Sequence, residues 1–321
     1  MQFYIDKRGV IRESDIGRPG VASGLPVSSQ VGLSRLLARM RGEAVDLSQI
    51  YLVTDKLDLA TASEIREAET ALGCALPSGY RDFVTTLGSG ECDGYFRVYS
   101  PTDAASSCYK LRSLFKEYAH FWDDDLDALS EEQLGEVVVI GDTIDTDYVV
   151  FHPSKPRGFY ILPRNDEQTY RIGATFAEAL TWLTESDLLV DRSEPEVLDS
   201  TGQFTPAAFH YFDTGIGQSY ADFYEQESNT PALFAQVVAR LTEMARTSAG
   251  AILVRCETGR GRQSLSIYKL FVREAAAMVQ LQGSDRFGPR VFTEFSASRV
   301  TPELRSLFAH LVELGLQHWG R

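Results

Sequence analysis

Two Thr-x-x-Glu steps, Thr61 to Glu64 and Thr175 to Glu178, bracket the stretch that most constrains how this chain can fold. At that spacing a hydroxyl and a carboxylate satisfy each other's backbone N–H groups at a helix start. Between the two steps run four closely spaced strand candidates, 136–140, 148–152, 158–162 and 169–172. Their turns carry Gly141, Pro153, Pro156 and Asn165-Asp166. Helices at both ends with antiparallel-looking strands between them predict an α+β fold.

The pattern around these steps fills in the central segment. After Thr61, the residues Ile65, Ala68 and Leu72 face inward and Gly73 closes the helix. Leu76-Pro77 breaks the chain. Ser78 then reads as the cap of a second helix, with Tyr80, Phe83, Val84 and Leu87 on its apolar side and Gly88-Ser89-Gly90 as its stop. A strand at 95–99 and a helix at 103–121 follow. After Thr175, the residues Phe176, Ala179, Leu180 and Leu183 form a buried helix face.

The flanks read as follows. Phe3-Tyr4-Ile5 is a strand and 17–29 a Gly/Pro/Ser-rich loop. A helix at 29–41 buries Leu33, Leu36, Leu37 and Met40 and stops at Gly42, before a strand at 49–53. Residues 191–206 are polar and turn-rich, a linker. Beyond them come an aromatic stretch at 209–212 and a helix at 231–247, capped by Thr230 with Pro231 in its first turn. Strands follow at 251–256, 264–272, 275–281 and 290–295, with a turn at Gly259-Arg260-Gly261. A final helix runs from Thr301-Pro302-Glu303 to about Trp319. The expected domains are therefore 1–56, 57–190 and 207–321, with 191–206 as the linker. The last is a second, smaller α+β domain.

Charge separates these segments. The 321-residue chain has 31 basic and 45 acidic side chains and a net charge of −14. Residues 57–190 carry 24 acids and 10 bases, so the whole net charge sits there, while 1–56 and 191–321 are nearly neutral. The matching flanks point to the first segment packing on the last, with the central domain inserted. A field this acidic disfavours direct nucleic-acid binding. It serves solubility or draws a cationic partner.

No stretch approaches the roughly 18 apolar residues of a membrane span, and Met1 to Arg8 hold no secretory apolar run. The scattered Cys74, Cys92, Cys108 and Cys256 read as reduced thiols of a cytoplasmic protein. There is no GxSxG elbow, Walker loop or HExxH, and Gly215-Ile216-Gly217 lacks the third glycine of a dinucleotide loop. No catalytic residue, cofactor or metal is expected.

The ordered features of the central segment resemble the SUKH superfamily, which includes the yeast glucan-synthesis regulator family and many bacterial immunity proteins. They are the Ile65-to-Gly73 helix with Glu69 and Leu72, Leu76-Pro77-x-x-Tyr80-x-x-Phe83, the Gly88-to-Gly90 stop, the stretches 137–142 and 148–151, and Phe176-x-Glu178-Ala179-Leu180-x-x-Leu183. The resemblance covers roughly 57–190 and implies a central mixed sheet with flanking helices. It implies a non-enzymatic binding module, typically an immunity protein that binds a toxin, and the acidic charge suits a basic, nuclease-type one. A regulatory scaffold of the same fold, an enzyme hidden in 207–321, and a last segment that serves as a second partner-binding or dimerisation domain are the rival readings.

Candidate partner-binding residues are acidic. Glu91 and Asp93 follow the Gly-rich turn, and Asp142, Asp145 and Asp147 sit between two strands. Asp123, Asp124 and Asp125, with Asp127, form a cluster that also reads as a solvated loop. Asp142, Asp145 and Asp147 equally read as ordinary turn residues. His120 and His152 read as structural, and His210, His310 and His318 have no supporting Cys or acidic motif in the sequence. Arg255, Arg260, Arg262, Lys269 and Arg273 make the last segment locally basic. Such a patch docks on the acidic domain, meets an acidic partner, or merely decorates a hairpin.

Overall fold

The computed structural model describes residues 2–5, 11–14, 50–53, 56–118, 121–122, 129–186, 188–189, 193–215, 219–225, 230–258, 265–273, 277–284, 290–297, 301–313 and 317–320. An antiparallel hairpin joins β1 (Gln2–Ile5) to β2 (Ile11–Ser14). The loop expected at 17–29 and the helix expected at 29–41 lie outside the described residues. The strand expected at 49–53 shortens to β3 (Tyr51–Leu52).

Helix α1 (Ala62–Leu72) starts where the first Thr-x-x-Glu step places it. Glu64 N donates to Thr61 Oγ1 at 3.2 Å, and Thr61 N donates to Glu64 Oε2 at 2.7 Å. Gly73 ends it at φ 69°, a left-handed turn that favours a residue without Cβ. Helix α2 (Ser78–Thr86) differs from expectation at its start: Ser78 is the first helical residue and Pro77 occupies the cap without a side-chain bond. Proline's fixed φ turns the chain into the helix in place of a hydroxyl. Then come β4 (Gly90–Cys92), β5 (Phe96–Val98), α3 (Pro101–Tyr118) and α4 (Glu131–Leu134). A Ser130/Gln133 box starts α4. Strands β6 (Val138–Thr143), β7 (Tyr148–His152), β8 (Lys155–Leu162) and β9 (Tyr170–Gly173) follow, then α5 (Phe176–Glu185), opened by the Thr175/Glu178 box.

The remaining elements are β10 (Glu196–Leu198), β11 (Phe204–Pro206), β12 (Tyr211–Asp213), β13 (Ser219–Glu225) and α6 (Thr230–Thr247). After them come β14 (Ala251–Thr258), β15 (Leu265–Val272), β16 (Ala277–Ser284), β17 (Arg290–Ala297), α7 (Pro302–Glu313) and β18 (Gln317–Gly320). The fold is α+β.

The first sheet runs β3-β12-β4-β5-β6-β7-β8-β9 and is mixed, because β3 and β12 pair parallel while the other neighbours are antiparallel. Helices cover both its faces. Phe159 of β8 lies opposite Phe151 and meets Phe176 of α5, ring centroids 5.6 Å apart. Tyr148, three residues from Phe151 and so on the other face, meets Phe115 of α3 at 5.3 Å. Burial on both sides explains why 137–140 is an unbroken apolar run rather than an alternating one. A bulge at Ile140 shifts the β6 register. At Gly141 a Cβ would lie 2.4 Å from the Arg97 carbonyl oxygen, so only glycine lets β5 and β6 approach there.

The second sheet runs β11-β10-β14-β15-β16-β17-β13-β18, antiparallel throughout. One face packs under α6 and α7. Leu233, Val237 and Leu241 of α6 and Leu304 and Leu307 of α7 meet Leu253, Leu270, Val279 and Leu281. The opposite face brings Val254, Phe271 and Met278 against Tyr51, Val53 and Tyr211. The two sheets therefore share a core.

Further elements differ from expectation. The segment 191–206, expected as a linker, carries β10 and β11, which extend the second sheet. The final helix stops at Glu313, and Gln317–Gly320 pairs with β13 instead. An open strand edge offers backbone partners that outweigh local helical preference. The strand β13 itself was not expected. The turn expected at 259–261 lies outside the described residues.

Candidate functional site: a cleft between the two sheets

A cross-strand row of charges runs over four neighbouring strands of the first sheet. Asp213 on β12 stands opposite Glu91 on β4, Glu91 opposite Arg97 on β5, and Arg97 opposite Asp142 on β6. Directly opposed residues of antiparallel strands share a face, so three carboxylates and one guanidinium share it. Arg97 turns toward Asp142 and donates from Nε at 2.8 Å and from a terminal nitrogen at 2.5 Å. That pairing holds the guanidinium well above its ordinary range, and Tyr99 beside it adds a cation–π contact at 5.6 Å. Burial first, and then the nearby Asp142 charge, push the Tyr99 phenol up.

This row borders a cleft of about 730 Å³ between the sheets. Its first wall holds Gly90, Glu91, Arg97, Tyr99 and Asp213, with Asp103 and Ser107 from α3. Its second wall is β16, through Met278 and Gln280. Tyr211 closes the floor. Lys269 of β15 donates to the Tyr211 hydroxyl at 2.5 Å and sits over its ring at 4.7 Å. Burial, with the Asp93 and Glu91 charges after it, raises the Tyr211 phenol well above its ordinary range. The phenol therefore stays protonated.

The expected site residues separate into distinct roles. Glu91 lines the cleft. Asp93 is a joint: at φ 56° it turns its carboxylate to Tyr211 N at 2.7 Å and to His210 Nδ1 at 2.9 Å. Asp142 is 6% exposed and held by Arg97. Asp147, 3% exposed, accepts from Thr143 Oγ1 and from Arg164 N and fixes the β6–β7 turn. Asp142 and Asp147 are thus buried, with their oxygens engaged inside the fold. Asp145 is exposed at that turn, beside the exposed Ile144. Asp123, Asp124, Asp125 and Asp127 lie outside the described residues.

Several groups escaped sequence reasoning. Tyr211 lies within, and Asp213 just after, an aromatic stretch that gives no sign of joining the first sheet. His210 has no supporting motif nearby in the sequence, yet the fold delivers Asp93 to it from 117 residues away and Glu185 to within 4.0 Å. The basic patch docks inward in part: Arg255 pairs with Glu196, Lys269 reaches Tyr211, and Arg273 sits over Tyr51 at 5.2 Å. Cys92 and Cys108 are buried, and burial pushes both thiols up, which makes them poor nucleophiles. Among the described residues no group of His, Cys, Asp and Glu could hold a metal ion. No helix among them is long and apolar enough to cross a membrane.

The segment from the start of α1 through most of α5 is matched by one family model. Residues 59–182 match the SMI1 / KNR4 family (SUKH-1). The match covers less than half of the chain and agrees with the resemblance read from the sequence. No curated protein and no solved structure matches the chain. The SUKH-1 segment contributes Glu91, Arg97 and Asp103 to the cleft, while Asp213, Met278 and Gln280 come from beyond it.

Proposed function

We propose that this protein is a non-catalytic binding protein of the immunity type, whose cleft receives a basic segment of a protein toxin. The observation that carries this reading is the row Asp213–Glu91–Arg97–Asp142 at the border of an open cleft. The lining of the cleft holds three carboxylates, Glu91, Asp103 and Asp213, against one guanidinium, Arg97, and a surplus of that sign favours a cationic partner. The net charge of −14 acts in the same direction, by steering a basic partner to the surface. A nuclease-type toxin suits it, because a surface that holds phosphate is basic, and a row of carboxylates competes for the same groups. The SUKH-1 match supports a binding role over a catalytic one. A regulatory scaffold would use the same surface for a partner other than a toxin.

Affinity capture from the source organism tests the reading. Full-length protein and a Glu91→Lys/Asp213→Lys double variant serve as parallel baits, at about 50 mM and about 300 mM salt. The expected result is one basic toxin domain retained by the native bait, released at the higher salt and absent from the variant. The same set of proteins on both baits would sink the proposal.

A further inference from the structure

The cleft has walls from two different parts of the chain, and the sheet that forms its second wall lies wholly beyond the family match. Along β16, Val279 and Leu281 face the helices, so Met278 and Gln280 face the cleft by strand alternation. The spacing between the walls is set by packing rather than left open. Phe271, fully buried, stacks against Tyr51, Phe209 and Tyr211, with centroids 5.3, 4.9 and 5.0 Å away. Lys269 spans the same joint to Tyr211.

We infer that the C-terminal sheet is the specificity half of the binding site: β16, through Met278 and Gln280, reads a basic, extended protein segment that Glu91 and Asp213 attract from the opposite wall. This rests on the function proposed above and gives residues 207–321 a role in it. A volume of about 730 Å³ holds several side chains and lies within the usual range of about 300–1,000 Å³ for ligand sites. The carboxylates supply charge attraction, which is tolerant of sequence. Gln280 supplies both a donor and an acceptor, and Met278 an adaptable apolar contact, which discriminate between segments of equal charge.

The test uses the full chain and a fluorescein-labelled peptide of alternating glycine and arginine, read by anisotropy at about 50 mM salt. Glu91→Gln/Asp213→Asn should weaken binding about tenfold. Gln280→Glu should tighten it about three- to fivefold and Gln280→Lys weaken it by a similar factor, the effect of one charge a few ångströms from the peptide. Opposite signs at one position exclude simple misfolding, and thermal melts check each variant. Glu131→Gln, on exposed α4, removes a charge elsewhere and should change binding by less than about twofold. Unchanged binding in both Gln280 variants, with the Glu91/Asp213 loss intact, would overturn the inference and leave the acidic docking site standing. No binding to any protein, or an equal loss in Glu131→Gln, would overturn both.

Discussion

Asp93 and Tyr211 hold each other by reciprocal bonds: Asp93 N donates to the Tyr211 carbonyl at 2.9 Å, and Tyr211 N donates to Asp93 Oδ1 at 2.7 Å. The two residues lie 118 positions apart. This pair ties β12 to the turn after β4 and so fixes one side of the cleft.

Asp93→Ala should therefore destabilise the protein by about 2–3 kcal/mol in urea unfolding, the range for losing hydrogen bonds to a charged group. Asp93→Asn keeps an oxygen acceptor and tolerates the left-handed backbone, so its cost should be about 1 kcal/mol. An alanine cost below about 0.5 kcal/mol would mean that this joint does not hold the units together.

The Arg97–Asp142 pair should respond asymmetrically to truncation. The Arg97 side chain is 62% exposed and that of Asp142 only 9%. Arg97→Ala strands a buried carboxylate, and the expected loss is about 2–3 kcal/mol. Asp142→Ala leaves a guanidinium that water can solvate, with a loss nearer 1 kcal/mol. The double variant should cost less than the sum, as read from a denaturation cycle. Equal single losses that add without coupling would contradict this account.

Phe271 links the sheets, so Phe271→Ala opens a cavity in the shared core. The expected cost is about 3–5 kcal/mol. Calorimetry should show the single transition broaden or split as the two units lose their common packing. A sharp single transition at the native temperature would exclude that coupling.

His152 makes stability depend on pH. Burial holds its imidazole below the ordinary value of 6.5, with Lys155 and Arg112 acting the same way and Glu136 opposing them. Its Nδ1 accepts from Ser154 N at 3.1 Å, which requires the neutral ring. The unfolded chain takes up the proton near pH 6.5 while the folded chain resists until lower pH, so stability falls as pH drops through that window. His152→Gln should show a shallower decline in Tm between about pH 7.5 and about pH 5.5 than the native protein. Identical slopes would rule out His152 as the source.

Where chemistry is local, the amino-acid sequence by itself determined the outcome. Thr61/Glu64 and Thr175/Glu178 set two helix starts because capping needs only residues three apart. The strand at 148–152 was legible from apolar residues bounded by turns, and the order of these elements was enough to reveal the SUKH-1 segment. The Ser130/Gln133 box of α4 is a local signal of the same kind.

Tertiary structure decided what depends on distant partners. Tyr211–Asp213 could join either sheet on local grounds, and its seat between β3 and β4 comes from pairing across more than 100 residues. Gln317–Gly320 became a strand because β13 offered an open edge. Asp142 and Asp147 are buried because Arg97, Thr143 and Arg164 meet them from distant or folded-back parts of the chain. The cleft likewise exists only once two sheets share the Phe271 core, because the charge row and β16 have no local relation in the chain. Backbone propensity and capping act over a few residues, whereas burial and strand pairing are settled by the whole fold.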